Sequence, residues 1–168
     1  MVRSAVFNSS PWIFLAKLGI IEPALSIFQK VYLPLSVSKE ILSKPDESAS
    51  ILKELQKNRQ VDIFEARNIR LVNALGNRLG RGEAEAISIA IELDADVVAL
   101  DDYTARSEAL RLGLEVKGTL GIISKLIELE RFQCTIGELF DNLKSMNFRV
   151  KDHIFWEIFK DIKQNERS

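Results

Sequence analysis

Residues 79–103 read LGRGEAEAISIAIELDADVVALDDY, and this stretch decides the fold. Gly80 and Gly82 break the backbone just before a run in which Ala84, Ala86, Ile87, Ile89, Ala90 and Ile91 leave little polar face, so a buried helix is expected there. Val97 to Leu100 follow as four consecutive apolar residues without alternation. That is the pattern of a strand covered on both faces in a parallel sheet. The strand ends in two aspartates, Asp101 and Asp102.

Working outward, the same alternation of strand and helix recurs. Val2 to Phe7 reads as a strand that stops at Asn8-Ser9-Ser10, and Pro11 opens a buried helix through PWIFLAKLGII. Val31 to Leu33 predicts a second short strand ended by Pro34, after which Ser36 can cap a helix reaching Leu42 with Glu40 near its middle. The charged stretch Lys44 to Gln60 keeps Ile51, Leu52 and Leu55 at helical spacing and reads as a surface helix. Val61 to Phe64 suggests a strand, and Ile69 to Leu75 a helix closing at Gly76. Beyond the two aspartates come a helix from Thr104 to Leu112 closed by Gly113, a strand from Leu114 to Val116 and a helix from Thr119 to Glu130. Thr135 with Glu138 forms a capping box before another helix, and Asp152 caps a last one carrying Ile154, Phe155, Ile158, Phe159 and Ile162. Strands alternating with helices imply a three-layer α/β/α sandwich with a mostly parallel central sheet, folded as a single domain over 1–168.

Composition narrows the chemistry. A 46% hydrophobic and 28% charged chain is an ordinary globular mixture, so its interior must come from packing and not from disulfides. Basic and acidic residues nearly balance, 23 against 24, so any polyanion partner needs a locally concentrated patch. Cys134 and His153 are single copies, which excludes an internal disulfide and a zinc centre built from several cysteines and histidines. A metal would have to be held mainly by oxygens. The apolar stretch Pro11 to Ile21 is too short to span a bilayer and is interrupted by Lys17, so no membrane association and a cytoplasmic location are expected.

In open parallel sheets ligands bind beyond the carboxyl ends of the strands, where loops gather and helix N-termini point their amides. The residues there carry a pattern. Asn8, Ser9 and Ser10 follow the first strand, Asp101 and Asp102 follow the central one, Glu83 opens the buried helix, and Glu40 can reach the same edge. Carboxylates drawn from distant parts of the chain to one edge repel unless cations compensate them. That points to Mg2+ or Mn2+, hard ions that take oxygen donors and serve phosphodiester hydrolysis. A nuclease follows, and a phosphatase would fit the same residues. Glu85 competes with Glu83, but two positions turn it roughly 200 degrees around a helix, so only one of them can face an ion. Arg81, Arg106, Arg111, Lys117 and Lys125 are candidates for holding a phosphate backbone, a contact indifferent to base sequence. Trp12, Phe14, Trp156 and Phe159 fit amphipathic helices and read as core.

The motifs Gly80-Arg81-Gly82-Glu83-Ala84-Glu85, Asp101-Asp102-Tyr103-Thr104-Ala105-Arg106 and Gly118-Thr119-Leu120-Gly121, with Asn8-Ser9-Ser10-Pro11 before them, resemble those of a prokaryotic subgroup of the PIN domains. That family contains VapC-type toxin ribonucleases. The resemblance implies a metal-dependent endoribonuclease acting on single-stranded RNA, with an antitoxin protein as a possible partner. It places the acidic cluster on Asn8, Glu40, Glu83, Asp101 and Asp102, with Ser10 near the first and in reach of the nucleic acid. The family has aspartate where this chain has Asn8, which supplies one neutral carbonyl oxygen in place of a carboxylate. Three readings stay open: a weakened enzyme, an RNA-binding or regulatory module without catalysis, or a substitution made to silence a nuclease. A homodimer is expected from the apolar stripes of the last helices and from the resemblance.

Overall fold

In the computed structural model, which describes residues 4–166 and side chains as far as residue 163, the chain alternates short strands with helices. The strands are β1 (Ser4–Phe7), β2 (Lys30–Pro34), β3 (Asp62–Phe64), β4 (Val97–Ala99) and β5 (Val116–Lys117). Helices α1 (Ser9–Lys17) and α2 (Ile21–Leu25) join β1 to β2, and α3 (Leu35–Leu42) and α4 (Glu47–Lys57) join β2 to β3. Then α5 (Ile69–Gly76) and α6 (Arg81–Glu92) lead to β4, and α7 (Tyr103–Arg111) leads to β5. The chain closes with α8 (Thr119–Glu128), α9 (Ile136–Ser145), α10 (Asp152–Ile158) and α11 (Lys160–Glu166). Val2 and Arg3, expected to begin the first strand, lie outside the described residues.

All five strands are parallel, in the order β3-β2-β1-β4-β5. The chain therefore steps outward from β1 to β2 and β3, then returns to lay β4 against the other side of β1. That reversal opens a crevice at the carboxyl ends of β1 and β4. Short strands suffice because both faces are covered. Along β1 and β4, Ala5, Phe7, Val97 and Ala99 enter one core, while Val6, Val98 and Leu100 enter the other. The first core is covered by α1 to α4 and α8 to α10, the second by α5, α6 and α7. The expected three-layer sandwich is the observed one, with a sheet parallel throughout.

Helix α6 is buried as its composition requires: Ala84, Ala86, Ile87, Ile89 and Ala90 are all fully enclosed. Helix α4 is less superficial than its charge suggests, because Leu52 and Leu55 turn into the core while the charged positions face out. The run Pro11 to Ile21 makes two helices, since Gly19 takes a φ of 73° that only glycine adopts easily and ends the first. Gly113, at φ 83°, stops α7 in the same way, whereas Gly76 stays inside α5, which closes at Asn77. Ser36 does not cap α3, because Pro34 holds that position and the Ser36 side chain is used elsewhere. Thr135 and Glu138 form the expected capping box, each side chain accepting the other's backbone N–H at 3.2 Å. Asp152 lies in the first turn of α10, not at its cap, and the last helix breaks at Phe159.

Trp12, Phe155 and Phe159 are fully buried, while Phe14 packs edge-on to Phe148 and Trp156 stacks on Phe140. The apolar stripes of α9 and α10 are thus spent on the chain's own core, which removes most of the apolar surface from which a homodimer was expected. Ile154 and Ile158 stay exposed, four residues apart on α10. Among the described residues no helix is long and apolar enough to cross a membrane.

Candidate functional site

The crevice between β1 and β4 receives side chains from four segments. Asn8 leaves β1 and holds the sheet through its backbone N–H, which donates to the Ala99 carbonyl at 3.0 Å. It stands at the N-cap of α1, yet its side chain caps nothing. Buried to 6% exposure, its carboxamide turns toward α6. A Cβ placed on Gly82 would meet Asn8 Oδ1 at 3.1 Å, Val37 Cγ2 at 3.1 Å and Glu40 Oε2 at 4.0 Å. Glycine at position 82 therefore leaves a small cradle into which two oxygens of Asn8 and Glu40 look. Glu40, five residues into α3, reaches that point because helical side chains lean toward the N-terminus.

Glu83 lies in the first turn of α6, where its Oε2 accepts the Gly80 N–H at 3.0 Å. Because Gly80 has no side chain, only this half of a capping box exists. Partial burial pushes the Glu83 carboxyl above the usual carboxylate range, the Gly80 N–H pulls it back, and the neighbouring Asp102 and Glu40 charges push it up further. Glu40, Glu83 and Asp102 thus share one field. Among the described residues none of the three is ion-paired. Glu85, two residues on, faces the other way: it is buried, takes a short hydrogen bond from the Ser36 hydroxyl and pairs with Arg81 Nε at 2.8 Å, tying α6 to α3.

The two aspartates after β4 divide their work. Asp101 turns inward, where Oδ2 accepts from Ser10 Oγ at 2.7 Å and from Thr119 Oγ1 at 2.7 Å, and Oδ1 accepts from the Thr119 N–H at 2.7 Å. One carboxylate so ties the starts of α1 and α8 to the end of β4. Asp102 turns outward as the N-cap of α7, its Oδ1 accepting the Ala105 N–H at 2.9 Å while Oδ2 is left for other partners. Arg106 supports the same corner by donating from Nη1 to the Leu100 carbonyl at 2.9 Å. It crosses Gly118 so closely that a Cβ there would stand 2.5 Å from the guanidinium and 3.1 Å from Asp101 Oδ1, so a side chain at 118 would displace Arg106 from this corner. Thr119 and Gly82 carry more of the site than their spacing announces. The only signal for either is its place in a short glycine motif.

The candidate phosphate contacts are dispersed. Ser10, Arg106 and Lys117 lie at the crevice edge, but Ser10 is held by Asp101, Arg106 by Leu100, and Lys117 Nζ stands 3.7 Å from Glu115. Arg81 is exposed at the start of α6 and bonded to Glu85. Arg111 closes α7, roughly 13 Å along the helix from Asp102, and pairs with Glu108 at 2.5 Å. Lys125 sits about 9 Å along α8 from Thr119 and pairs with Glu128 at 3.2 Å. Those two point toward the opposite edge of the sheet.

The donor set suits a hard divalent cation: Asn8 Oδ1 and the carboxylates of Glu40, Glu83 and Asp102 are all oxygens. Among the described residues no three histidine, cysteine or acidic side chains are grouped closely enough to close on one ion. Such closure is not required of Mg2+, which keeps several waters and takes one or two carboxylates directly. The residues therefore fit an ion held largely through its water shell.

Losing Asp101 should be felt as stability before chemistry. Asp101→Ala strands one backbone and two hydroxyl donors, and hydrogen bonds to a charged group are worth about 1.5–3 kcal/mol. Urea unfolding of the metal-free protein should fall by about that amount. A variant as stable as the parent would show that the carboxylate ties nothing together.

Comparison with family models matches residues 4–164 to DUF3368, a PIN domain. No curated protein matches the chain.

Proposed function

Since this chain belongs to the DUF3368 family of PIN domains, whose members are in general nucleases, we propose that it is a Mg2+- or Mn2+-dependent endoribonuclease whose first acidic position is neutralised by Asn8. The observation that carries this reading is that Glu40, Glu83 and Asp102, none of them ion-paired among the described residues, share one electrostatic field, with Asn8 and Glu40 meeting at the Gly82 cradle near the crevice where β1 and β4 part. Such a field of like charges calls for a cation. A divalent ion bound there supplies Lewis-acid stabilisation of the phosphate and lowers the pKa of an attacking water.

The chain's own residues do the rest. Glu83 and Asp102 are the carboxylates that would hold the cation, and Glu40, exposed at the rim, would accept the proton of the incoming water. Asn8 offers a neutral oxygen on one side and an amide N–H on the other, the latter able to donate to a phosphate oxygen. Asp101 keeps the starts of α1 and α8 in register through Ser10 and Thr119, so it acts as a positioning residue. Arg106 and Lys117 border the crevice on the β5 side and are the cations closest by fold to an RNA backbone. The toxin role, with an antitoxin as partner, belongs to the same proposal and rests on family membership.

One specific observation favours a second reading, an RNA-binding module without catalysis. Asn8 lowers the charge of the cluster by one where a carboxylate would draw the ion closer. Incubating the protein with a broad panel of RNAs in Mn2+, Mg2+ or EDTA separates the two. Cleavage in either metal that EDTA abolishes supports the enzyme. RNA retention without cleavage in any of the three supports the module.

A further inference from the structure

Tyr103 is 83% exposed. Every other aromatic side chain among the described residues is buried or half-buried, most of them in ring contacts within the core. A single exposed ring is ordinary on a protein surface. What distinguishes this one is its address. It is the first residue of α7, directly after Asp102, whose Oδ1 pins that turn by accepting the Ala105 N–H at 2.9 Å. The backbone that carries the ring is thereby fixed next to Asp102, whose charge shares the field of Glu83 at the crevice. Among the described residues it makes no hydrogen bond, ion pair or ring contact, so both faces are open. The nearby guanidinium that could have covered it, that of Arg106, is directed to the Leu100 carbonyl.

An aromatic face free at the rim of a phosphate-cleaving crevice offers what an unpaired base needs and a duplex cannot use, because paired bases already stack on each other. We propose that Tyr103 is the stacking platform for the base beside the scissile phosphate, and that it gives the site its preference for single-stranded over duplex RNA. This rests on the nuclease reading above. The scarcity of unpaired cations at the crevice makes such a contact more valuable: a chain of net charge −1 gains little from bulk attraction to a polyanion, and stacking does not depend on it.

The test is binding of a short fluorescently labelled single-stranded RNA, read by anisotropy in Ca2+, which takes the same oxygen donors, with the RNA confirmed intact after each reading. Tyr103→Ala and Tyr103→Leu should each weaken binding by about 5- to 150-fold, while Tyr103→Phe stays within about twofold of the parent. Plots of log Kd against log salt should run parallel for the parent and Tyr103→Ala, since no phosphate contact is lost. Binding of the same sequence as a duplex should not distinguish the variants, and all should melt together because the ring packs against nothing. If Tyr103→Ala or Tyr103→Leu binds single strands as tightly as the parent, the stacking role is overturned and the nuclease reading stands. If the parent binds neither RNA, both fall together.

Discussion

Asn8→Asp should raise Mn2+-dependent cleavage of single-stranded RNA by about 10- to 100-fold, the span expected when a group in direct or outer contact with a metal is restored. The reason is local. Asn8 Oδ1 already looks into the Gly82 cradle opposite Glu40, so the change adds a charge without moving a donor. The same charge has a cost when no ion is present. Position 8 is buried, and an aspartate there would face Glu40 and share the field of Glu83 and Asp102. Metal-free Asn8→Asp should therefore be less stable than the parent by about 1–3 kcal/mol. Added Mn2+ should more than restore it, because an ion that binds only the folded state stabilises by mass action. Thermal melts in EDTA and across a Mn2+ titration measure both signs. A folded Asn8→Asp protein that cuts nothing across a broad RNA panel in Mn2+ would leave the binding module as the better description of this chain.

How far the residues announce this site depends on what kind of contact makes it. The apolar block of β4 and the enclosed helix α6 are patterns within a dozen neighbouring positions, so the sheet, its parallel sense and the edge where acids gather can be read directly. The choice between Glu83 and Glu85 is of the same kind: two steps along a helix separate their directions, and one faces Glu40 and Asp102 while the other faces Ser36 and Arg81. The different fates of Asp101 and Asp102 are not legible in this way. Adjacent in sequence and chemically identical, they are separated by partners at Ser10 and Thr119, 91 and 18 residues away, and no spacing rule links those positions. The break at Phe159 is hidden for a related reason, because it joins two segments with continuous apolar periodicity, whereas the break at Gly19 comes from a glycine whose positive φ the apolar run around it masks.

Glu83→Gln should abolish cleavage, by roughly 100-fold or more, since it removes an anion placed to bear several kcal/mol of charge stabilisation while keeping its shape. The same substitution tests the electrostatics without any substrate. Glu83 titrates above the usual carboxylate range, first because burial disfavours its charge and then because Asp102 and Glu40 repel it. A raised pKa in the folded state means that the protonated form is the one folding favours. The stabilising contribution is complete below the unfolded pKa and disappears as pH rises through the raised folded value, beyond which the charge opposes folding. The glutamine variant has no charge to lose, and its side-chain oxygen can still accept the Gly80 N–H. In EDTA the variant should therefore melt above the parent at neutral pH, and the gap should close as pH falls into the ordinary carboxylate range. With a divalent ion the order should reverse, because only the carboxylate gains from the cation, and metal binding to the parent should weaken with acid as the proton competes. An uncut gap across pH in EDTA, or Glu83→Gln cleaving RNA as fast as the parent, would remove Glu83 from the acidic cluster and leave the crevice without its central anion.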